Sequence, residues 1–130
     1  MADSYLDNLP FGSEYDPPER IVCAANRYGR LVIAGVRHGC ETMQRIHGAF
    51  ENRHIDMNED FGEEEQGFLT SKHHFVDRQE AWKIAVEQKQ IVRRVGGDSF
   101  KGGTLYSENL YQFRELNYVD NVLSCNGYTE

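Results

Sequence analysis

The chain has 130 residues, a formal net charge of -7 and a pI near 5.2. This length fits a single domain, and the acidic balance argues against a protein that coats a nucleic-acid polymer or an anionic membrane surface. No run reaches the roughly 18 apolar residues of a membrane span and the N-terminus is acidic, so we expect neither a span nor a signal peptide, and a cytoplasmic location.

Three cysteines are present, Cys23, Cys40 and Cys125, and none forms a CxxC pair. An odd number of thiols without metal-type or redox-type spacing argues against a disulfide framework. We therefore expect reduced, partly buried thiols.

Positive charge is concentrated in two segments. Residues 20–47 hold five arginines against Glu41, and residues 78–101 hold six bases against three acids. Residues 1–19 and 51–65 are strongly acidic. A local cationic pocket in an acidic body suits a small anionic ligand better than a polymer. The alternative is that these charges are solvated surfaces of ordinary helices and strands.

The first half of the chain predicts an arm, a hairpin and a helix. Residues 1–18 are polar and end in a proline pair, which predicts a flexible or surface-draped arm. Residues 20–25 and 30–36 are β-type runs, and the turn residues 26–29 between them favour a hairpin. Residues 41–50 place their apolar side chains on one helical face, so an amphipathic helix is expected from Gly39 or Cys40 onward.

The second half begins with an acidic segment, residues 51–65, which predicts an exposed loop. Residues 66–70 and 74–76 predict a second hairpin, or one strand with a kink. Asp77 and Glu80 then form the ends of a capping box, with an apolar stripe behind them as far as Gln88, so a helix is expected there. Two short strands are predicted at residues 91–92 and 104–107. The order of elements predicts one α+β domain over residues 1–130, with a small, mostly antiparallel sheet and two packed helices.

Residue spacings typical of catalysis are missing from the sequence. The five histidines show no HxxxH or HxH spacing, and no GxSxG motif occurs. The glycine-rich segment, residues 95–104, lacks the GxxxxGK[ST] order of a Walker loop. We therefore predict no catalytic residues, no metal site and no cofactor.

Groups that bind nucleotides are well represented. Glycine backbone N–H groups and the guanidinium groups of Arg93 and Arg94 can bind phosphate oxygens, and aromatic rings can stack on a purine. Asn109 offers an amide that can bind a base edge or ribose hydroxyls. The alternatives remain open: Phe68 and Phe75 are equally suited to a core, and two adjacent arginines on an extended segment face opposite ways.

Three stretches resemble a known family. RIVCAANRYGRLVIAGVRHG, EQGFLTSKHHFVDRQEAWKIAVEQKQI and GGTLYSENLY are similar to the phage Thoeris anti-defence one family of signal sponges. The resemblance implies a phage protein in the cytoplasm of an infected bacterium. Such a protein captures the cyclic ADP-ribose isomer made by TIR-domain enzymes and holds it uncleaved. It also implies a homo-oligomer, either a dimer or a hexamer built from dimers, and in some members a separate site for cyclic trinucleotides.

The same resemblance implies a set of ligand contacts. Four positions are the first choice and three are second choices. The first set is Arg37, Phe68, Arg94 and Asn109, and the second is Phe75, Arg93 and Tyr106.

Two other classes of function remain open. One is a small nucleotide-cleaving enzyme in which His38 or His73 acts as acid or base beside Arg94. The other is an interaction module whose acidic surface covers a host protein, which would have no affinity for a small molecule.

Overall fold

The computed structural model describes residues 2–12, 16–99 and 102–111. Its centre is a four-stranded antiparallel sheet with the strand order β2-β1-β3-β4. The strands are β1 at Ile21–Tyr28, β2 at Leu31–Gly35, β3 at Glu64–Thr70 and β4 at Phe75–Asp77. The predicted α+β class with an antiparallel sheet is confirmed.

The described residues also form four α-helices. They are α1 at Glu41–Asn52, α2 at Met57–Asp60, α3 at Arg78–Glu87 and α4 at Ser107–Leu110. The two longer ones, α1 and α3, are the helices predicted from the sequence.

The first hairpin turns at Gly29, directly after β1. Gly29 has a φ of 63°, which favours glycine, and a Cβ there would lie 2.1 Å from the carbonyl oxygen of Phe61. The expectation that the first strand ends at Ala25 was wrong. The strand continues because the side chains of Asn26 and Tyr28 are buried on its inner face while its backbone remains paired.

Helix α3 begins at the predicted cap. The Asp77 carboxylate accepts hydrogen bonds from the backbone N–H groups of Gln79 at 3.1 Å and Glu80 at 2.8 Å. A side-chain acceptor here satisfies N–H groups that have no partner within the helix. The cap therefore fixes where the chain leaves β4 and which side chain starts the helix.

One face of the sheet is the core. Because side chains alternate along a strand, Ala24 and Phe68 point to the same side, where Ala81 and Ala85 of α3 and Met43 of α1 also lie buried. Phe68 is 0% exposed. Of the two alternatives for this ring, the structure therefore supports the core position.

Both short strands predicted in the second half are wrong. Residues 91–92 have no strand geometry, and residues 104–106 are irregular before α4 begins at Ser107. Each segment is held by a single backbone hydrogen bond to a distant segment and not by the repeated hydrogen bonds of a β-sheet. Val92 N–H donates to the Asn109 carbonyl at 2.8 Å, and Leu105 N–H donates to the Arg78 carbonyl at 3.0 Å.

The acidic segment is more ordered than predicted. Helix α2 lies within it, the Asp56 carboxylate caps that helix, and Met57 is buried in the core. In the arm, residues 2–8 form a 3-10 helix, and the described side chains of residues 5–12 are exposed. Their flexibility stays a prediction.

Cys23 is half-buried and Cys40 is buried, and both are free thiols. Cys125 lies outside the described residues. In the part of the chain that the structure describes, no helix is both long and apolar enough to cross a membrane.

Candidate functional site

The glycine-rich loop is organised around a carboxylate of its own. Arg94 donates from Nε to Oδ2 of Asp98 at 2.8 Å and from Nη2 to Oδ1 at 2.7 Å, and Val95 N–H donates to Oδ2 at 2.9 Å. The Asp98 side chain is 3% exposed. The Arg94 guanidinium holds the pKa of this carboxyl well below its usual range, and the Val95 bond lowers it further. The loop therefore binds an anion from its own chain.

Asn109 attaches this loop to α4. The residue is fully buried, and its Oδ1 accepts a hydrogen bond from Tyr106 N–H at 2.8 Å. Its Nδ2 donates to the Arg93 carbonyl at 3.0 Å and to Asp98 Oδ2 at 3.1 Å. These bonds give Asn109 a role in holding the loop, while its predicted contact with a ligand stays a prediction.

A shallow groove runs beside the loop. It has a volume of about 370 Å³, and the Arg94 guanidinium carbon lies 5.6 Å from the centre of the Trp82 ring. Gly103 allows the chain to approach that indole, since a Cβ there would lie 2.2 Å from Trp82 Cδ1. The groove is lined by Trp82, Val86, Lys89, Ile91 and Arg94.

A second cationic centre is formed by Arg78, the first residue of α3. Its Nη1 donates to the Leu105 carbonyl at 2.8 Å, and its Nη2 donates to Gln66 Oε1 at 2.8 Å. Nη2 also lies 3.3 Å from His38 Nδ1. All three partners are uncharged acceptors, and together they use three of the five N–H donors that a guanidinium carries.

Two of the predicted aromatic residues meet at this arginine. The guanidinium carbon of Arg78 lies 5.0 Å from the centre of the Tyr106 ring and 5.9 Å from that of Phe68. Arginine is attracted to the faces of aromatic rings when it is partly removed from water. Arg78 therefore connects the buried Phe68 to the half-exposed Tyr106.

His38 supports the arginine from the turn before α1. Its Nε2 lies 2.8 Å from the Gly67 carbonyl, so Nε2 carries the proton and Nδ1 accepts from Arg78 and, at 3.4 Å, from Ser107 Oγ. Burial is the main cause that lowers the pKa of His38, and the Arg78 charge lowers it further. The ring is therefore neutral in this arrangement.

Among the described residues, no carboxylate forms an ion pair with Arg78. The ion pairs of this part of the chain link Arg27 with Glu65, Arg45 with Glu41, Lys72 with Asp16, His74 with Glu19 and Arg94 with Asp98. Burial lowers the pKa of the Arg78 guanidinium, although nearby Tyr106 and Glu108 oppose that effect. A half-buried cation whose charge is not paired in this way favours the binding of an anion.

The position of Arg78 in α3 adds to this preference. The N-terminus of a helix carries a partial positive charge, and cations are ordinarily favoured at the opposite end. An arginine at the first helical position therefore makes the local potential more positive, which is unfavourable. A bound anion would reduce this electrostatic repulsion.

Six residues around this guanidinium are called the Arg78 cluster below. They are His38, Gln66, Phe68, Arg78, Tyr106 and Ser107. Sequence reasoning placed Phe68 and Tyr106 in a ligand site but missed Arg78, and it considered His38 only as an acid or base. The signal that could have found Arg78 was its position directly after the Asp77 cap, where an arginine is electrostatically unfavourable.

The remaining predicted contacts are not members of the Arg78 cluster. Phe75 is on the other face of the sheet, where the Arg27 guanidinium lies 4.4 Å from its ring centre. Arg37 is half-buried in the turn before α1, and Arg93 is exposed in the loop. His73, the other candidate acid or base, is exposed in the turn between β3 and β4 with a φ of 67°.

Most of the described chain matches a known protein family. The family model described as the phage T4 y16D protein matches residues 20–111. The chain belongs to the phage T4 y16D protein family. No curated protein and no solved structure gives a significant match.

The y16D family match begins directly before β1 and ends directly after α4. It therefore includes the whole sheet, the Arg78 cluster and the glycine-rich loop. The acidic arm and the segment after Tyr111 lie outside it. A y16D protein is a phage protein, which confirms the coarser part of the resemblance noted in the sequence, while the anti-defence activity stays a prediction.

Proposed function

We propose that this y16D protein binds a small anionic nucleotide at the Arg78 cluster and holds it without cleaving it. The preferred ligand is a cyclic ADP-ribose isomer, and capture of that signal would block TIR-based Thoeris immunity. The observation that supports this function is the half-buried Arg78 guanidinium, which has aromatic rings beside it and no ion-pair partner in the described part of the chain.

The chemistry of such a ligand matches the cluster. A pyrophosphate would supply negative charge beside Arg78, and the guanidinium keeps its Nε–H and one Nη1–H to donate to phosphate oxygens. The half-exposed Tyr106 ring offers a face on which a purine can stack, at about 1 to 3 kcal/mol. The Phe68 ring is 0% exposed, so it contacts Arg78 from the core and not the ligand.

The groove beside Trp82 offers related chemistry. Arg94 and Lys89 line it together with an indole ring. Because the Asp98 carboxylate already pairs with Arg94, this groove should attract an anion less strongly than the Arg78 cluster does. We assign this groove no ligand of its own. The family resemblance also implies a site for cyclic trinucleotides in some members, and we propose no position for such a site here.

A nucleotide-cleaving enzyme is the second candidate, because His38 lies within 3.3 Å of the Arg78 guanidinium. A histidine beside a phosphate-binding arginine could transfer a proton. In the structure, however, Nε2 donates to the Gly67 carbonyl and Nδ1 accepts from Arg78. Both nitrogens are engaged, which favours a positioning role over proton transfer.

One experiment separates these functions. The protein is mixed with a panel of cyclic ADP-ribose isomers and cyclic nucleotides, free ligand is measured, and the mixture is then heat-denatured and analysed by mass spectrometry. We expect one ADP-ribose isomer to leave the free pool and to return intact. Recovery of a cleaved product would support the enzyme, and no depletion of any ligand would favour an interaction module with a protein partner.

Assembly is part of the same proposal. The family resemblance implies a homo-oligomer built from dimers, and closed two-fold dimers are the commonest homo-oligomers. Light scattering of the free and ligand-bound protein would measure it, and a mass of 15.0 kDa in both states would contradict this part of the proposal.

A further inference from the structure

Strand β2 forms one edge of the sheet. In the described part of the chain, β1 is the only strand that pairs with it. Edge strands are ordinarily protected from further pairing by a lysine, a proline or a β-bulge. The sequence of β2, LVIAG, contains no charged residue and no proline, and its register with β1 is regular. This edge is therefore open to pairing with another strand.

The backbone groups that point outward from this edge belong to Val32 and Ala34. Tyr28 and Leu31 are partners on either side of a two-residue turn, so they form a hydrogen-bonded pair. Backbone groups point alternately to the two sides of a strand, so every second residue after Leu31 also points toward β1. The N–H and carbonyl groups of Val32 and Ala34 therefore point away from the sheet.

Helix α1 runs antiparallel along this edge strand. Near the start of the helix, Met43 lies against Gly35, where a Cβ would be 3.1 Å from Met43 Cγ. Near its end, the Phe50 ring centre lies 6.0 Å from that of Phe61, and the Phe61 carbonyl oxygen lies against Gly29. The helix therefore covers β2 from its last residue back to the hairpin turn.

The side of α1 nearest the open edge is apolar. On the other side of the helix, Gln44 and His47 line a pocket together with side chains of β1 and β3. Because an α-helix has 3.6 residues per turn, Ile46 and Ala49 lie on the side away from those strands, toward the β2 edge. A groove of about 330 Å³ is found there, lined by Ile46, Ala49, Phe50, Arg53 and Ile55. The open strand edge and an apolar groove thus lie next to each other.

We propose that a second copy of this chain pairs with the β2 edge, so that the two sheets join antiparallel about a two-fold axis at Ile33. In this register Val32 of each copy lies opposite Ala34 of the other, and every outward N–H group meets an outward carbonyl. The two α1 helices then lie side by side on one face of the joined sheet, with their apolar grooves toward each other. This inference rests on the homo-oligomer of the proposed function and identifies its contact surface.

The distribution of charge favours a second copy as the partner. Val36 is 59% exposed, and the register places Arg30 of the other copy opposite it, so the two Arg30 side chains do not meet. The antiparallel helices bring Arg53, at the end of one α1, toward Glu41, at the start of the other. Antiparallel helix dipoles also attract each other. Two copies that each carry a net charge of -7 can therefore meet here without bringing acidic groups together.

Analytical ultracentrifugation of the full-length protein over a dilution series tests this interface. Ala49→Lys puts a charge into the groove between Arg45 and Arg53, each four residues away, so the new charge finds no partner on its own helix. Gln44→Lys adds the same charge on the other side of α1 and is the matched control. We expect Ala49→Lys to raise the dimer dissociation constant at least about tenfold and Gln44→Lys to leave it within about twofold. Equal constants in all three proteins would overturn the proposal.

Hydrogen exchange of single backbone amides, followed by NMR, identifies the paired strand in the natural protein. We expect the N–H groups of Val32 and Ala34 to exchange at least about tenfold more slowly in the dimer than in the monomer, obtained by dilution or by Ala49→Lys. Protection that persists in the monomer would show that the same chain covers the edge, and this would overturn the proposal.

The remaining outcomes separate this inference from the proposed function. Fast exchange of both amides in a protein that still dimerises would place the interface elsewhere, so the inference would be wrong while the homo-oligomer stands. A protein that is monomeric at every concentration would contradict both the inference and the proposed assembly. Capture of the ligand is measured separately by its depletion from the free pool.

Discussion

Arg94 and Asp98 form a two-bond ion pair inside the glycine-rich loop, with N–O distances of 2.8 and 2.7 Å. The aspartate side chain is almost fully buried while that of the arginine is 62% exposed. The exposed cation therefore serves as the partner of a buried anion, which also accepts from Val95 and Asn109. We therefore expect Asp98 and Arg94 to contribute to the stability of the loop more than to the binding of a ligand.

We expect Asp98→Asn to destabilise the loop more than Ser99→Ala does. Asparagine keeps the size of the side chain but loses the charge that Arg94, Val95 and Asn109 all contact. Ser99→Ala removes one exposed hydroxyl that contacts the same pair. Thermal melts of the three proteins would show the order, and a melting temperature that is unchanged in Asp98→Asn would mean that the ion pair is not needed for folding.

Affinity for the ligand should depend on Arg78 more than on Arg94. Arg78→Gln removes a charge that can bind a phosphate, so a loss of about 1.5 to 3 kcal/mol, at least about tenfold in affinity, is expected by calorimetry. Arg94→Gln should reduce affinity less, because Asp98 already uses its charge. Arg45→Gln, which removes an exposed cation from α1, is the control for net charge.

The opposite ranking, with Arg94→Gln the more damaging and its melting temperature unchanged, would return the ligand to the glycine-rich loop. That outcome would leave Arg78 as a structural arginine and would contradict the placement of the site.

Truncation of Phe68 should destabilise the whole fold. The ring is 0% exposed in the core and contacts His38 edge-on at 5.1 Å, so Phe68→Ala should reduce the free energy of unfolding by about 3 to 5 kcal/mol. Phe61→Ala is the control. Phe61 is 43% exposed, so its truncation should reduce the free energy of unfolding far less. Urea unfolding measures both, and equal losses would contradict the central place of Phe68.

Stability should fall as His38 becomes protonated. Burial and the Arg78 charge lower the pKa of His38 in the folded protein, so the unfolded chain binds the proton more readily. The contribution of His38 is therefore fully present above its ordinary pKa of about 6.5 and decreases as the pH falls from there toward the folded value. Unfolding free energies over this range, compared with His38→Gln, should show a steeper decline in the natural protein.

NMR titration of the His38 ring measures the same effect independently. The glutamine variant keeps a hydrogen-bonding side chain but cannot titrate, so it isolates the effect of the imidazole. A ring pKa at or above the ordinary histidine value would contradict the buried, neutral assignment.

The capped helix α3 and the hairpins could be predicted from sequence because their causes are local. Asp77 lies next to the helix that it caps, and the paired strands are joined by short turns. The amphipathic stripe of α1 also predicted its place on the sheet. The two short strands were predicted wrongly because residues such as Val92 and Leu105 found single distant partners instead of a neighbouring strand.

The sequence by itself determined the class of fold, the helix start at Asp77 and the gathering of cations and aromatic rings in one domain. Only the tertiary structure decided the partners of Arg78 and Arg94: among the described residues, Arg94 forms an ion pair and Arg78 does not. Arg78 reaches its partners across 12 residues to Gln66, 27 to Leu105 and 40 to His38. Arg94 meets Asp98 within the turn of a single loop. Charge balance depends on distances in space, and a sequence lists the charges without giving those distances.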